Sequence, residues 1–211
     1  MKELITKRIE RTKVIAIADG IYGETCIKLA RALCNGGVEL LELTLDENNH
    51  SHVWETAQLL HCELGDTMTI GIGNVTSVDD VNVAKETGAN FVSSFTADEE
   101  IIHAANKLDL VVIPGALTPT EIKFARRCGA DFVKVFPTGC MGPAYFNHIQ
   151  PAIKGIPILA QSGITRPNVR LYKNAGVTGV FVDDCLYTRE MIERENWQEI
   201  TATSKTFLHT L

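Results

Sequence analysis

The 211-residue sequence predicts a (β/α)8 barrel of the TIM type, one domain over residues 1–211 with an extra N-terminal helix. Three observations carry this expectation. Short runs rich in β-branched and aliphatic residues alternate with helical patterns eight times along the chain. Several runs begin just after a glycine that ends a helical pattern, as in GGV (36–38), TGAN (87–90), CGAD (128–131) and AGVTG (175–179); glycine suits the left-handed position that follows a helix. No GxGxxG follows the first run, and GIG (71–73) is not that fingerprint, which argues against a doubly wound open sheet.

The opening MKELITKRIERTK is charged and amphipathic, so it reads as a helix across the lower end of the barrel and not as a signal peptide. The expected strands are VIAIA (14–18), VELLELTL (38–45), TIGI (69–72), FVSS (91–94), LVVIP (110–114), DFVKVF (131–136), IPILAQS (156–162) and GVFV (179–182). Helical patterns fill 24–35, 51–63, 78–86, 98–106, 119–128, 143–153, 167–174 and 188–195.

Composition narrows the function. The chain is 45% hydrophobic and 22% charged, with no low-complexity linker to divide it. A net charge of −6 and the lack of a Lys/Arg-rich patch argue against nucleic-acid binding. No apolar run approaches the roughly 18 residues of a membrane span. The six cysteines form no CxxC pair and the six histidines no HExxH, so no metal site is expected, and the thiols suit a reducing cytoplasm.

Barrel topology directs attention to the C-terminal strand ends and the loops after them, among them Glu42 to Asp46, Ser93-Ser94-Phe95, Lys134 to Gly139, Gln161-Ser162-Gly163 and Asp183-Asp184. In VELLELTL, alternation puts Leu41, Leu43 and Leu45 on one face and Leu40, Glu42 and Thr44 on the other. The leucine face suits the helices, so Glu42 points into the barrel. In DFVKVF the same reasoning sends Lys134 inward between Phe132 and Phe136. One reading is an internal salt bridge that fixes register. The other is chemical. Desolvation lowers a lysine pKa, a neutral amine forms a Schiff base with a ketone, and a buried carboxylate such as Glu42 moves the protons.

The motifs GGVELLELTL (36–45), GIGNV (71–75), VVIPGALTPTEI (111–122), FVKVFPT (132–138) and SGIT (162–165), in this order, resemble the 2-keto-3-deoxy-6-phosphogluconate / 4-hydroxy-2-oxoglutarate (KDPG/KHG) aldolase family over nearly the whole chain. The resemblance implies a homotrimeric (β/α)8 barrel running class I aldol chemistry without metal or cofactor. Lys134 falls on its Schiff-base lysine and Glu42 on its general acid/base.

The loops depart from that family. Asp46 stands in TLDENN where arginine is usual, Ala18-Asp19 replaces another arginine, and Asn74 replaces a threonine. The phosphate turns become Gln161-Ser162-Gly163 and Asp183-Asp184-Cys185. Carboxylates beside a dianion repel it, so an unphosphorylated substrate is expected, unless the aspartates turn outward as helix caps. The rim of Asp19, Asp46, Asp183 and Asp184 suits hydrogen bonds from a polyol or amino substrate; a divalent cation is the competing use. Thr44, Asn74, Gln161 and Ser162 are then the candidates for holding the keto-acid carboxylate. Pro114 shapes the mouth, and Phe136 packs either on the ligand or in the core. The expected function is cleavage of a 4-hydroxy-2-keto acid to pyruvate and an aldehyde. The alternatives are a phosphate-binding barrel isomerase or decarboxylase, and a non-catalytic sugar-acid binder.

Overall fold

A computed structural model describes residues 1–46 and 49–211. Helix α1 (Lys2–Thr12) precedes β1 (Val14–Ala18), α2 (Gly23–Asn35), β2 (Leu40–Thr44), α3 (His50–Leu64) and β3 (Thr69–Gly73). Then come α4 (Val78–Glu86), β4 (Phe91–Ser93), α5 (Glu99–Lys107), β5 (Val111–Ile113), β6 (Gly115–Ala116) and α6 (Pro119–Arg127). The chain continues through β7 (Val133–Val135), α7 (Gly142–Ile149), a 3-10 turn (Gln150–Ala152) and β8 (Ile158–Gln161). It ends with α8 (Val169–Asn174), β9 (Gly179–Val182), α9 (Arg189–Glu193) and α10 (Trp197–Leu208).

All strand pairs are parallel, in the order β5-β4-β3-β2-β1-β9-β8-β7-β6. The expected run LVVIP is one strand in two arms. β5 pairs with β4 and β6 with β7, so residues 111–116 complete the ring of a (β/α)8 barrel. Pro114 makes the break because it has no N–H for a ladder; its carbonyl accepts the Lys134 N–H at 2.8 Å. Helix exits follow the glycine rule, as at Gly129, whose φ of 103° disfavours any residue with a Cβ.

Two apolar clusters follow from the alternation. Leu41, Leu43, Leu45, Ile70, Ile72, Val133 and Val135 join the layer between sheet and helices. Inside the barrel, Ile15, Ile17, Leu40, Phe91, Val111 and Phe132 pack with Ile5 and Ile9 of α1. The first helix therefore plugs the N-terminal end, as expected. Arg8 Nη1 reaches Thr69 Oγ1 at 2.6 Å, and Lys2 pairs with Asp131 at 2.9 Å, both at strand starts. Helix α10 lies beyond the last helical pattern read from the sequence. It packs on α2, where Thr201 Oγ1 donates to the Ala32 carbonyl at 2.8 Å.

Candidate active site

The inward positions change character along the barrel axis. Two residues above Leu40 on β2 comes Glu42, two above Phe91 on β4 comes Ser93, and two above Phe132 comes Lys134 on β7. Each keeps its strand's inward face, so the sheet's period of two delivers all three to one layer. Glu42 is 3% exposed, Ser93 1% and Lys134 0%, so all three are largely withdrawn from water. Lys134 Nζ donates to Ser93 Oγ at 3.1 Å, and Ser93 Oγ donates to Glu42 Oε2 at 2.5 Å.

Burial raises the Glu42 pKa, opposed by Lys134 and the Ser93 hydrogen bond, with Asp19 and Asp183 adding to the rise. Burial also lowers the lysine pKa, opposed by Glu42. Each group is driven toward its neutral form. Room for the carboxylate comes from Gly73 on the neighbouring strand, where a Cβ would stand 2.3 Å from Glu42 Oε1.

The aromatic surroundings of Lys134 differ from the expected sandwich of Phe132 and Phe136. Nζ lies 4.3 Å from the ring centroid of Phe95 and 5.1 Å from that of Phe181. Phe132 packs in the interior cluster below, and Phe136 stacks on Phe95 at 4.7 Å. The flanking residues of a strand share its face but sit above and below; neighbours across the barrel fill the space at the same height.

Above this layer lies a cavity of about 270 Å³, walled by Ile17, Glu42, Thr44, Asn74, Phe95 and Gln161, with Asp19 and Asp183 at its rim. Gln161 Oε1 is buried and, among the described residues, has no hydrogen-bond partner; a half-turn of the amide presents its NH2 instead. Asp19 and Asp183 also border an outer cavity of about 640 Å³, whose walls include Tyr22, Asp184, Tyr187, Arg189 and Glu193. Asp184 has its pKa raised, first by Asp183 and then by burial. Asp183 Oδ1 accepts the Asp184 backbone N–H at 2.8 Å, occupying a donor an anion would otherwise use.

Of the other sequence candidates, Thr44, Asn74, Gln161 and Asp183 share the inner cavity with Glu42, and Asp184 borders the outer one. Asp46 stands close enough to Tyr22 to help burial raise that phenol to about 12. Pro114 is the bend of the closing strand, and Phe136 supports Phe95. Ser162 and Gly163 wall neither cavity. They are held against the loop after β7, where Thr138 Oγ1 donates to the Ser162 carbonyl at 2.7 Å and a Cβ on Gly163 would stand 2.4 Å from Gly139 Cα. In the sequence Ser93 and Phe95 have a strand-end position, the signal that finds them, but no role, and nothing local marks Phe181. Among the described residues, no group of three or more His, Cys, Asp or Glu side chains is arranged to hold a metal ion.

A family model described as KDPG and KHG aldolase matches residues 5–203. The 2-dehydro-3-deoxy-6-phosphogalactonate aldolase of Escherichia coli (strain K12) is 26% identical over 196 residues, covering 92% of this chain and 94% of that protein. The solved structure named "Native KDPGal structure" superposes with a TM-score of 0.84 at 24% identity, covering 93% of each chain. A KDPG aldolase from Legionella pneumophila, with pyruvate captured as a covalent carbinolamine, superposes with a TM-score of 0.81 at 24% identity, covering 95% of this chain and 96% of the other.

Proposed function

The chain belongs to the KDPG and KHG aldolase family, whose named members are carbon–carbon lyases, and from that premise we propose a class I aldolase that cleaves a 4-hydroxy-2-keto acid through Lys134. The observation that carries this reading is a fully buried lysine hydrogen-bonded to Ser93, which bonds Glu42 in turn, beneath a cavity at the C-terminal end of the barrel. The carbinolamine captured in the Legionella pneumophila enzyme supports the same covalent route.

The neutral Lys134 amine attacks the C2 ketone and forms a carbinolamine. Glu42, directly or through a water, protonates the departing hydroxyl, leaving an iminium. As its carboxylate it then takes the proton of the C4 hydroxyl. The C3–C4 bond breaks, its electron pair enters the enamine, and the aldehyde leaves. Protonation at C3 and hydrolysis return pyruvate and the free amine. Phe95, 43% exposed, lies over Nζ, so its ring must swing aside for the carbonyl to reach the amine. Thr44, Asn74 and Gln161, which line the inner cavity, receive the keto-acid carboxylate in this reading.

The aldehyde half extends to the outer cavity, where Asp19, Asp183 and Asp184 favour hydroxyl or ammonium groups over a phosphate. A phosphate-binding isomerase needs the backbone donor that Asp183 already fills, so that alternative is disfavoured. The homotrimer rests on the family resemblance and the cytoplasmic setting on the reading of the six cysteines as reduced thiols; sedimentation of the purified chain tests the first, and among the described residues no helix is long and apolar enough to cross a membrane.

Borohydride with pyruvate should attach a reduced adduct to Lys134, visible by peptide mass spectrometry and absent in Lys134→Met. Pyruvate release from unphosphorylated keto acids should accompany it. A wild-type protein left unmodified sinks this reading, and adduct formation without turnover on any keto acid favours the non-catalytic binder.

A further inference from the structure

We infer that Ser93 is the proton relay of this site, carrying the proton of Lys134 to Glu42 so that the amine becomes the nucleophile. The inference rests on the Schiff-base reading above and adds a residue to it. The sequence resemblance assigned roles to Lys134 and Glu42 alone, yet the hydrogen bonds run through a third side chain. Nζ to Ser93 Oγ is 3.1 Å and Ser93 Oγ to Glu42 Oε2 is 2.5 Å. Ser93 Oγ thus joins the amine on one side to the carboxylate on the other. Lys134 (0% exposed) and Ser93 (1% exposed) wall neither cavity, whereas Glu42 borders the inner one, so the hydrogen-bonded path from the amine to the carboxylate runs through the Ser93 hydroxyl.

A hydroxyl suits this work because it accepts and donates at the same oxygen. In the forward step an N–H bond of the Lys134 ammonium breaks and its proton bonds to Ser93 Oγ. The original Ser93 O–H breaks in concert, and that proton bonds to Glu42 Oε2. Nitrogen keeps the electron pair. The products are a neutral amine, an intact hydroxyl and a carboxylic acid: one proton has moved, and nothing is oxidised or reduced. The Glu42 acid so formed is the group that the carbinolamine needs for loss of water. The relay therefore prepares nucleophile and general acid in a single event, which a direct contact with solvent on either group would not couple.

The test is single-turnover imine formation with pyruvate, trapped by cyanoborohydride, in mixtures of H2O and D2O. Wild type should show a bowed proton inventory, with two protons in flight. Ser93→Ala should trap about 10²-fold more slowly and lose the bow, the usual scale of a lost acid–base group. Ser93→Thr keeps the hydroxyl and suits a strand, so it should recover to within about tenfold of wild type. A linear inventory in wild type overturns the relay even if the alanine variant does not fold. So does trapping by Ser93→Ala at the wild-type rate, or a folded Ser93→Thr as slow as alanine, which would assign Ser93 a packing role. Failure of wild type to trap pyruvate at all is a different result and removes the aldolase reading with it.

Discussion

The two ends of the barrel interior share one backbone geometry and hold opposite chemistry. At the N-terminal end, Ile5 and Ile9 of α1 meet Ile15, Leu40, Phe91 and Phe132 in a dry plug. Two residues further along the same strands, the inward faces carry Glu42, Ser93 and Lys134. Each buried aliphatic or aromatic side chain of the plug contributes about 1.5–3 kcal/mol. An unpaired buried charge costs about as much or more. The lower end thus supplies both the stability that tolerates the ionisable pair and the dryness that perturbs it. The rim above differs again: its carboxylates touch solvent and face the outer cavity, where they act on whatever enters.

The largest expected effect tests whether the pair compensates itself. Glu42 has its folded pKa raised from 4.5 and Lys134 lowered from 10.5. Between those values the unfolded chain holds one proton on the two groups, on the lysine. The folded pair also holds one, whether as ion pair or as acid and amine, so it contributes no pH dependence. In Lys134→Met the folded state keeps a proton on Glu42 that the unfolded state lacks. The stability gained from the raised carboxylate pKa is then complete below about 4.5 and lost as pH rises toward the folded value. While Glu42 keeps that proton the slope is about 1.4 kcal/mol per pH unit. Urea unfolding over a pH series that starts below about 4.5 measures it. Glu42→Gln in the same background should abolish the slope, and a slope that survives this change breaks the account.

Two glycines on β3 sharpen the contrast between the ends. A Cβ on Gly73 would stand 2.3 Å from Glu42 Oε1, whereas one on Gly71 would stand 2.2 Å from the Phe91 ring. Gly73→Ala must turn the carboxylate from Ser93 and should cut turnover about 10²-fold, the usual result of misplacing a catalytic group by about 1 Å. Gly71→Ala overpacks the plug, so it should lower stability by about 1–3 kcal/mol and leave the turnover of the folded enzyme nearly intact. Paired melting and steady-state assays separate the two. Equal losses of turnover would mean that the interior is one unit rather than two.

The inward and outward faces were legible in the sequence because a period of two is a local property. Leu41, Leu43 and Leu45 against the helices, and Glu42 and Lys134 inward, follow from neighbours on the same strand. What lies across the barrel was not legible in this way. Phe95 reaches Lys134 from the loop after β4 and Phe181 from β9, and only ring closure and register bring them there. The same limit hid the bridging role of Ser93, although its strand-end position marked it for inspection. Pro114 was read as the end of a strand because the break is local and the continuation through Gly115 is seen only once β6 pairs with β7. The aspartate loops read in the sequence as departures from the family resemblance, but their backbone contacts are not legible there, since Asp183 accepting the Asp184 N–H depends on the turn itself.

The smallest expected effect concerns the rim and separates it from the deep pair. Asp183 borders both cavities and occupies a backbone N–H, so Asp183→Asn removes a charge while keeping an oxygen for that bond. Discrimination against a 6-phosphorylated keto acid, measured as the ratio of kcat/KM for phosphorylated and unphosphorylated substrates, should relax by about tenfold, or about 1.4 kcal/mol. The gain should shrink as salt rises, because a partly hydrated carboxylate is screened in a way that Glu42 and Lys134 are not. The trapping rate with pyruvate alone should change little, since pyruvate lacks the half that reaches the outer cavity. A large loss of trapping in Asp183→Asn would instead tie the rim to the pair, through the part Asp183 plays in raising the Glu42 pKa. The direction of that coupling is fixed: without the Asp183 charge, Glu42 gives up its proton more readily, so the acid limb of the pH profile should move down and never up.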